Sequence, residues 1–359
     1  MNELTIGLLG ALLATNQPQA VSNIIQQQTG VAVDIAVSPE EKELREVMLA
    51  DDAAQDDVNG WLREYDLQSD TNKTAAASAA LNARIKARLD RVRGAYDNFL
   101  QRHPENAHGF LAYGSFLNDT GDEEGAHLQY ENSMQLDPKN PAVWNNLANY
   151  YGEHSPVTKA FEYYAQAIRL KPDEPVYYQN FATTVYLFRK DAKEFYHIDE
   201  QQVFDKALGL YQQAMQLAPD NFVLATDYAE SYYGIRPLRT NDALIAWTNA
   251  MNVAHTDAER QGVELHLARV KIAAGFFGQA SNHLAAVTNT AFLGLKNQLY
   301  RSLTDHEHSD TNAEAVVEDK PLKTIPQLAP AGADDATNVS SWSSNLLAVP
   351  PPVRGSKPQ

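Results

Sequence analysis

Two asparagines, Asn146 and Asn180, stand one repeat interval apart in a chain of 359 residues. A carboxamide presents a donor and an acceptor together, so it can hold a peptide backbone whatever side chains that backbone carries. Other polar side chains recur around them: Asn145 and Asn149, then Gln179 and Thr183, then Thr226, Asp227 and Glu230, and last His266 and Arg269. Their shared chemistry is recognition through hydrogen bonds and charge. Other chemistries are poorly represented. The nucleophile-elbow, phosphate-loop, dinucleotide and zinc-protease patterns are absent. His306-Glu307-His308 comes nearest to a metal cluster, but it sits at the start of a segment with no scaffold to hold ligands. Asp51, Asp52, Asp56 and Asp57 lack the central Gly and terminal Glu of a calcium loop and read as a solvated acidic turn. There is no cysteine, which excludes thiolate catalysis, disulfides and Cys-based zinc sites. No catalytic residues, no metal and no other cofactor are expected.

The polar positions acquire a frame from the elements around them. Pro104, Pro138 and Pro172 recur at the same interval as the two asparagines, each closing the same kind of segment. The clearest unit spans 141–172. Trp144, Leu147, Ala148 and Tyr151 share one helical face, and Ala160, Tyr164 and Ala167 share a second. The unit at 107–138 repeats the pattern with Phe110, Tyr113, Gly114 and Leu117, a turn at Gly121, then Ala126, Tyr130 and Ser133. A third begins at Pro175 and ends at Pro219, longer than the others, with the excess near 189–201. A fourth starts at Phe222 and a fifth near Gln261.

A period of about 34 residues, built from helix pairs with alanine at the crossing, resembles the tetratricopeptide repeat. The resemblance covers roughly residues 79–303, about five repeats with a capping helix at 291–303. It implies an all-α, right-handed solenoid whose first helices line a concave groove. Ala126, Ala160, Ala207, Ala243 and Ala280 are then packing residues, and the eleven polar residues named above are the first-helix positions that packing does not claim. Similar asparagine ladders occur in family members that grip extended peptides. Members that hold a chaperone's C-terminal carboxylate use Lys and Asn where this chain has Leu111 and Ser115, so that partner class is not expected.

The flanks differ from the repeats. Residues 1–66 read as an N-terminal helical arm. The segment 1–14 is apolar without a basic n-region, the stretch near Val21 and Ile24 is apolar-striped, and Ser38-Pro39-Glu40-Glu41 starts a helix. Leu44, Val47 and Met48 give that helix one apolar face, and Trp61, Leu62 and Tyr65 suggest a second short helix. Residues 67–78 read as a linker. Arg84, Lys86, Arg88, Arg91 and Arg93 form a dense basic stretch read as a solvated helix face. Beyond Leu303 the composition turns to Asp, Ser, Thr, Ala and Pro, so 304–359 is expected to be a disordered tail with a docking motif at 342–349.

The 46 acidic against 29 basic residues, a net charge of −17, argue against nucleic acid and favour a basic partner. No run reaches the roughly 18–20 apolar residues that span a bilayer. The resulting expectation is a non-enzymatic, cytoplasmic scaffold or adaptor that binds a peptide or protein in the repeat groove. The alternative is a structural subunit of a larger assembly, exported or membrane-associated through its apolar N-terminus. It would be held by residues 1–30 and 342–349.

Overall fold

The structure, a computed structural model, describes residues 38–67 and 74–310, with side chains to residue 305. Residues 1–30, 342–349 and the rest of the predicted tail beyond 310 lie outside the described residues. The described residues form helices and no strands. They fall in two compact units divided between His154 and Ser155. The division lies inside the repeat at 141–172, where the sequence predicts one continuous solenoid.

In the first unit, α1 (Pro39–Asp66) and α2 (Ala75–Arg102) are long helices packed together. Ser38 Oγ accepts the Glu41 amide and Pro39 takes the first turn, as the sequence predicts. The acidic turn does not exist. Asp51 to Asp57 continue α1, because Leu44, Val47 and Ala54 bury one uninterrupted stripe against the neighbouring helices and no strong breaker intervenes. α2 starts inside the predicted linker, where Thr74 caps it by accepting the Ala77 amide. Nor is the basic stretch on α2 simply solvated. Arg88 bonds Asp57 at 2.8 Å and the Arg84 guanidinium lies 3.8 Å over the Trp61 ring.

The hairpin α3 (Ala107–Asp119) and α4 (Glu123–Leu136) follows, then α5 (Pro141–Glu153). Gly121 turns the hairpin at φ 83°, a conformation a side chain would strain. Asp122 caps α4 and also bonds Arg93 of α2 at 2.9 Å. Gly114 lets the helices meet: a Cβ there would lie 2.5 Å from the Tyr130 ring.

The second unit opens with α6 (Val157–Leu170) and α7 (Pro175–Leu187). The excess of the third repeat folds as a short helix, α8 (Arg189–Tyr196), and a lengthened α9 (Glu200–Leu217). His197, at φ 55°, reverses the chain between them, and Asp199 with Gln202 forms a capping box. Phe195 and Tyr196 anchor the insertion on Phe161, with ring centroids 5.5 and 5.7 Å away. Next come α10 (Phe222–Ser231), a 3-10 turn (Tyr232–Gly234) and α11 (Thr240–Asn252). The pair α12 (Asp257–Ala273) and α13 (Phe277–Ala286) turns at Gly275. Finally α14 (Leu293–Asp310) closes the unit. Leu299 and Leu303 cover Leu265, Ile272, Ala280 and Leu284, the face that a last repeat leaves open. This cap runs on past the predicted end at 303, because nothing between Thr304 and Asp310 breaks a helix. The predicted tail therefore begins as helix, and the His306-Glu307-His308 backbone lies on it. All five predicted crossing alanines are buried.

Candidate functional site

The eleven polar positions divide between the units: Asn145, Asn146 and Asn149 in the first, the other eight in the second. Burial divides them again. Asn145, Asn146, Gln179, Asn180, Thr183, Thr226 and His266 are buried, Asn149, Asp227 and Glu230 are half-buried, and Arg269 is exposed.

In the first unit, the Asn145 amide donates to Asn146 Oδ1 at 3.3 Å, and Asn146 in turn bonds the buried Tyr130 hydroxyl. These amides satisfy polar groups in the hairpin packing.

In the second unit, three first helices converge. Gln179 of α7 donates from Nε2 to Asp227 Oδ2 of α10 at 2.7 Å, linking side chains 48 residues apart in sequence. Thr183, one turn after Gln179, pairs with the Tyr211 hydroxyl of α9 at 2.7 Å. Glu230 stands one turn beyond Asp227, and His266 Nε2 of α12 approaches it to 3.9 Å. The His266 ring is stacked 4.1 Å from Trp247 at 10°, and its Nδ1 meets the Tyr233 hydroxyl at 2.9 Å. Arg269, one turn further along α12, lies 4.2 Å over the Tyr233 ring. Thr226 turns back on its own helix, donating to Val223 O, and Asn180 has no exposed surface.

Burial and neighbouring charge set the protonation of this face. Burial pushes the Asp227 carboxyl up to about 6, opposed by the Gln179 hydrogen bond. Burial and then the Asp227 charge push Glu230 up to about 7, with Arg269 opposing. Burial, with Arg269 nearby, takes His266 down to about 3, so at neutral pH the imidazole is uncharged and its approach to Glu230 is not an ion pair. Among the described residues, neither carboxylate has a cation at ion-pair distance that is charged at pH 7. The arrangement can therefore receive a positive charge from outside, with aromatic rings beside it.

The repeat period picks out Gln179, Asp227, Glu230, His266 and Arg269, but not Tyr233. That tyrosine sits on the 3-10 turn where the repeat pattern lapses. Trp247 reads as a packing residue in sequence, and no local signal shows that it is also the plane on which His266 rests. Among the described residues, no group of three or more His, Asp or Glu side chains is placed to hold a metal, and no helix is long and apolar enough to cross a membrane.

Helix pairs at a regular period, crossing on alanine and closed by a cap, define an all-α helical-repeat fold that resembles the tetratricopeptide repeat. Among solved structures the chain is similar to MamA, at 19% identity over 48% of this chain and 92% of that one, with a TM-score of 0.36. It is also similar to YrrB, described as a TPR protein with an unusual peptide-binding site, at 13% identity over 58% of this chain and 98% of that one, with a TM-score of 0.41. A tetratricopeptide repeat protein from Parabacteroides merdae is similar at 10% identity over 73% of this chain and 99% of that one, with a TM-score of 0.37. No family model and no curated protein matches the sequence.

Proposed function

We propose that this protein is a non-catalytic scaffold or adaptor. Its second unit binds an extended peptide or protein segment across α7, α10 and α12, with a lysine or arginine of that segment received by Asp227 and Glu230. The observation that supports this reading is a carboxylate pair on a half-buried face with no cation at ion-pair distance among the described residues, Asp227 held by Gln179 and Glu230 approached by a neutral His266. A cation entering there would restore both groups to ordinary carboxylates, and the partner's charge would match a chain of net charge −17. Arg269 would contact the partner directly, whereas the buried Gln179, Asn180, Thr183 and Thr226 would shape and hold the face. Asn145 and Asn146 would act likewise for a segment bound on the first unit.

The test is capture from native lysate by the full chain, with crosslinks mapped to residue, repeated with Asp227→Asn combined with Glu230→Gln. Crosslinks at 175–187, 222–231 and 257–273 that vanish in the double variant are the expected result. A captured set and crosslink map identical in the double variant would overturn the reading.

A further inference from the structure

A groove of about 360 Å³ opens in the second unit between α9 and α11, with α10 and its 3-10 turn as the floor. It is separate from the face just described. On α10, Tyr228 points about half a helical turn away from Thr226 and Glu230 and about a quarter turn from Asp227. The sequence explains the gap. The segment 235–239 separates the 3-10 turn from α11 and folds onto α9, where Gln201 donates to Arg236 O and Arg239 bonds Asp205 and Gln201. Those bonds commit Arg239 to α9. Gly209 then leaves the α9 wall open, since a Cβ there would meet nothing within 4 Å.

The floor carries an unused donor. Gln212 Nε2 donates to the Tyr228 hydroxyl at 2.9 Å, and the Tyr228 and Tyr232 hydroxyls are 2.9 Å apart. Two phenols bring two hydroxyl hydrogens, and one is used between them. With Gln212 donating through Nε2, one hydrogen is left over whichever way the tyrosine pair is oriented. Among the described residues no acceptor takes it, although both tyrosines are nine-tenths buried or more. An acceptor from outside, such as a peptide carbonyl, fits that position. At the rim Asp242 is exposed and has no basic partner among the described residues, while Leu208 and Ile245 give the groove an apolar strip.

We propose that this groove is a second binding site, for an extended segment of a partner protein. It would place a backbone carbonyl on the Tyr228–Tyr232 hydroxyl pair, an aliphatic side chain between Leu208 and Ile245, and a lysine or arginine against Asp242. Charge complementarity sets the partner's sign: the rim presents free carboxylate, and the one arginine lining it is already held by Asp205.

Two pools of octapeptides, randomised around a fixed central Lys-Leu or Glu-Leu pair, test the site on the full chain. Peptides retained by the immobilised Asp227→Asn/Glu230→Gln variant, which removes the carboxylates of the α7–α10–α12 face, are then titrated by fluorescence anisotropy against the wild type and further variants. The Lys-Leu pool should be enriched and the Glu-Leu pool should not. Gly209→Trp, which fills the groove, should weaken a retained peptide about tenfold or more. Tyr232→Phe and Asp242→Asn should each weaken it by roughly two- to fivefold. Gly209→Ala serves as a folding control, and the rim and floor variants carry the test if the tryptophan variant does not fold. Peptides selected in this way should bind the wild type and the double variant equally, which separates this site from the α7–α10–α12 face. No enrichment, equal retention of both pools, or undiminished affinity in the groove variants would each overturn the proposal.

Discussion

In the α1–α2 seam, Asp57 meets Arg88 at 2.8 Å, Trp61 lies under the Arg84 guanidinium, and the inward Asp51 accepts the Tyr96 hydroxyl at 3.0 Å. On the α7–α10–α12 face, Asp227 receives one amide, a neutral imidazole comes only to 3.9 Å from Glu230, and Arg269 nearby rests over a tyrosine ring. Both regions carry the acid excess of the chain. The first answers Asp57 with an arginine of the adjoining helix and the inward Asp51 with a phenol, whereas the second gives Asp227 an amide and leaves Glu230 with only the charge of Arg269 beyond ion-pair distance. An acidic composition therefore says little about where a cationic partner would bind. What matters is which carboxylates remain uncompensated after packing.

The largest effect should come from removing the plane under His266. Trp247 is fully buried, so Trp247→Ala should cost about 3–5 kcal/mol by chemical denaturation. In whatever remains folded, the His266 pKa should rise from about 3 towards its ordinary value, as followed by NMR titration. Trp61→Ala, at the half-buried seam, should cost about 1 kcal/mol plus some lost packing. Equal losses at the two tryptophans would break the contrast between the regions.

Gly114→Ala should come next. The added methyl would press into the buried Tyr130 ring, costing about 1–3 kcal/mol in the first unit. Thermal unfolding of the variant should show whether that loss is confined to the first unit or spreads through the chain.

The pH dependence sharpens the comparison further. Burial raises Asp51 from 3.8 to about 6, so the folded chain holds that proton more tightly than the unfolded one. Its stabilising contribution is complete below about pH 4 and is lost as pH rises through about 6. Asp51→Asn keeps an acceptor for Tyr96 but cannot ionise. It should therefore stabilise by about 1–2 kcal/mol at pH 8 and make no difference at pH 4, measured by urea midpoints. Asp227→Asn and Glu230→Gln should show the same sign with midpoints near 6 and 7, but they alone should also cost partner binding. Wild-type binding at that face should weaken as pH falls through 7 to 6, because the carboxylates take up protons. If Asp51→Asn reduces partner binding as much as Asp227→Asn does, the division into structural and binding acids fails.

The smallest effect belongs to the exposed pairs. Arg88→Met should change stability by less than about 1 kcal/mol, and that difference should shrink in salt.

The sequence by itself determined the helix pairs, the crossing alanines, the turn at Gly121, the cap at Ser38 and the insertion after α7. Each depends on spacing within about one helical hairpin, and period, proline and glycine report such spacing directly. Tertiary structure alone decided that Asp51 to Asp57 continue a helix, that the repeat at 141–172 is divided between two units, and that the polar first-helix positions are mostly buried. It also decided which acids meet an arginine at ion-pair distance and which meet a neutral partner. Gln179 finds Asp227 across 48 residues, and His266 finds Trp247 and Tyr233 from other elements. Charge and protonation depend on distances and burial between segments remote in sequence, and no local pattern encodes them.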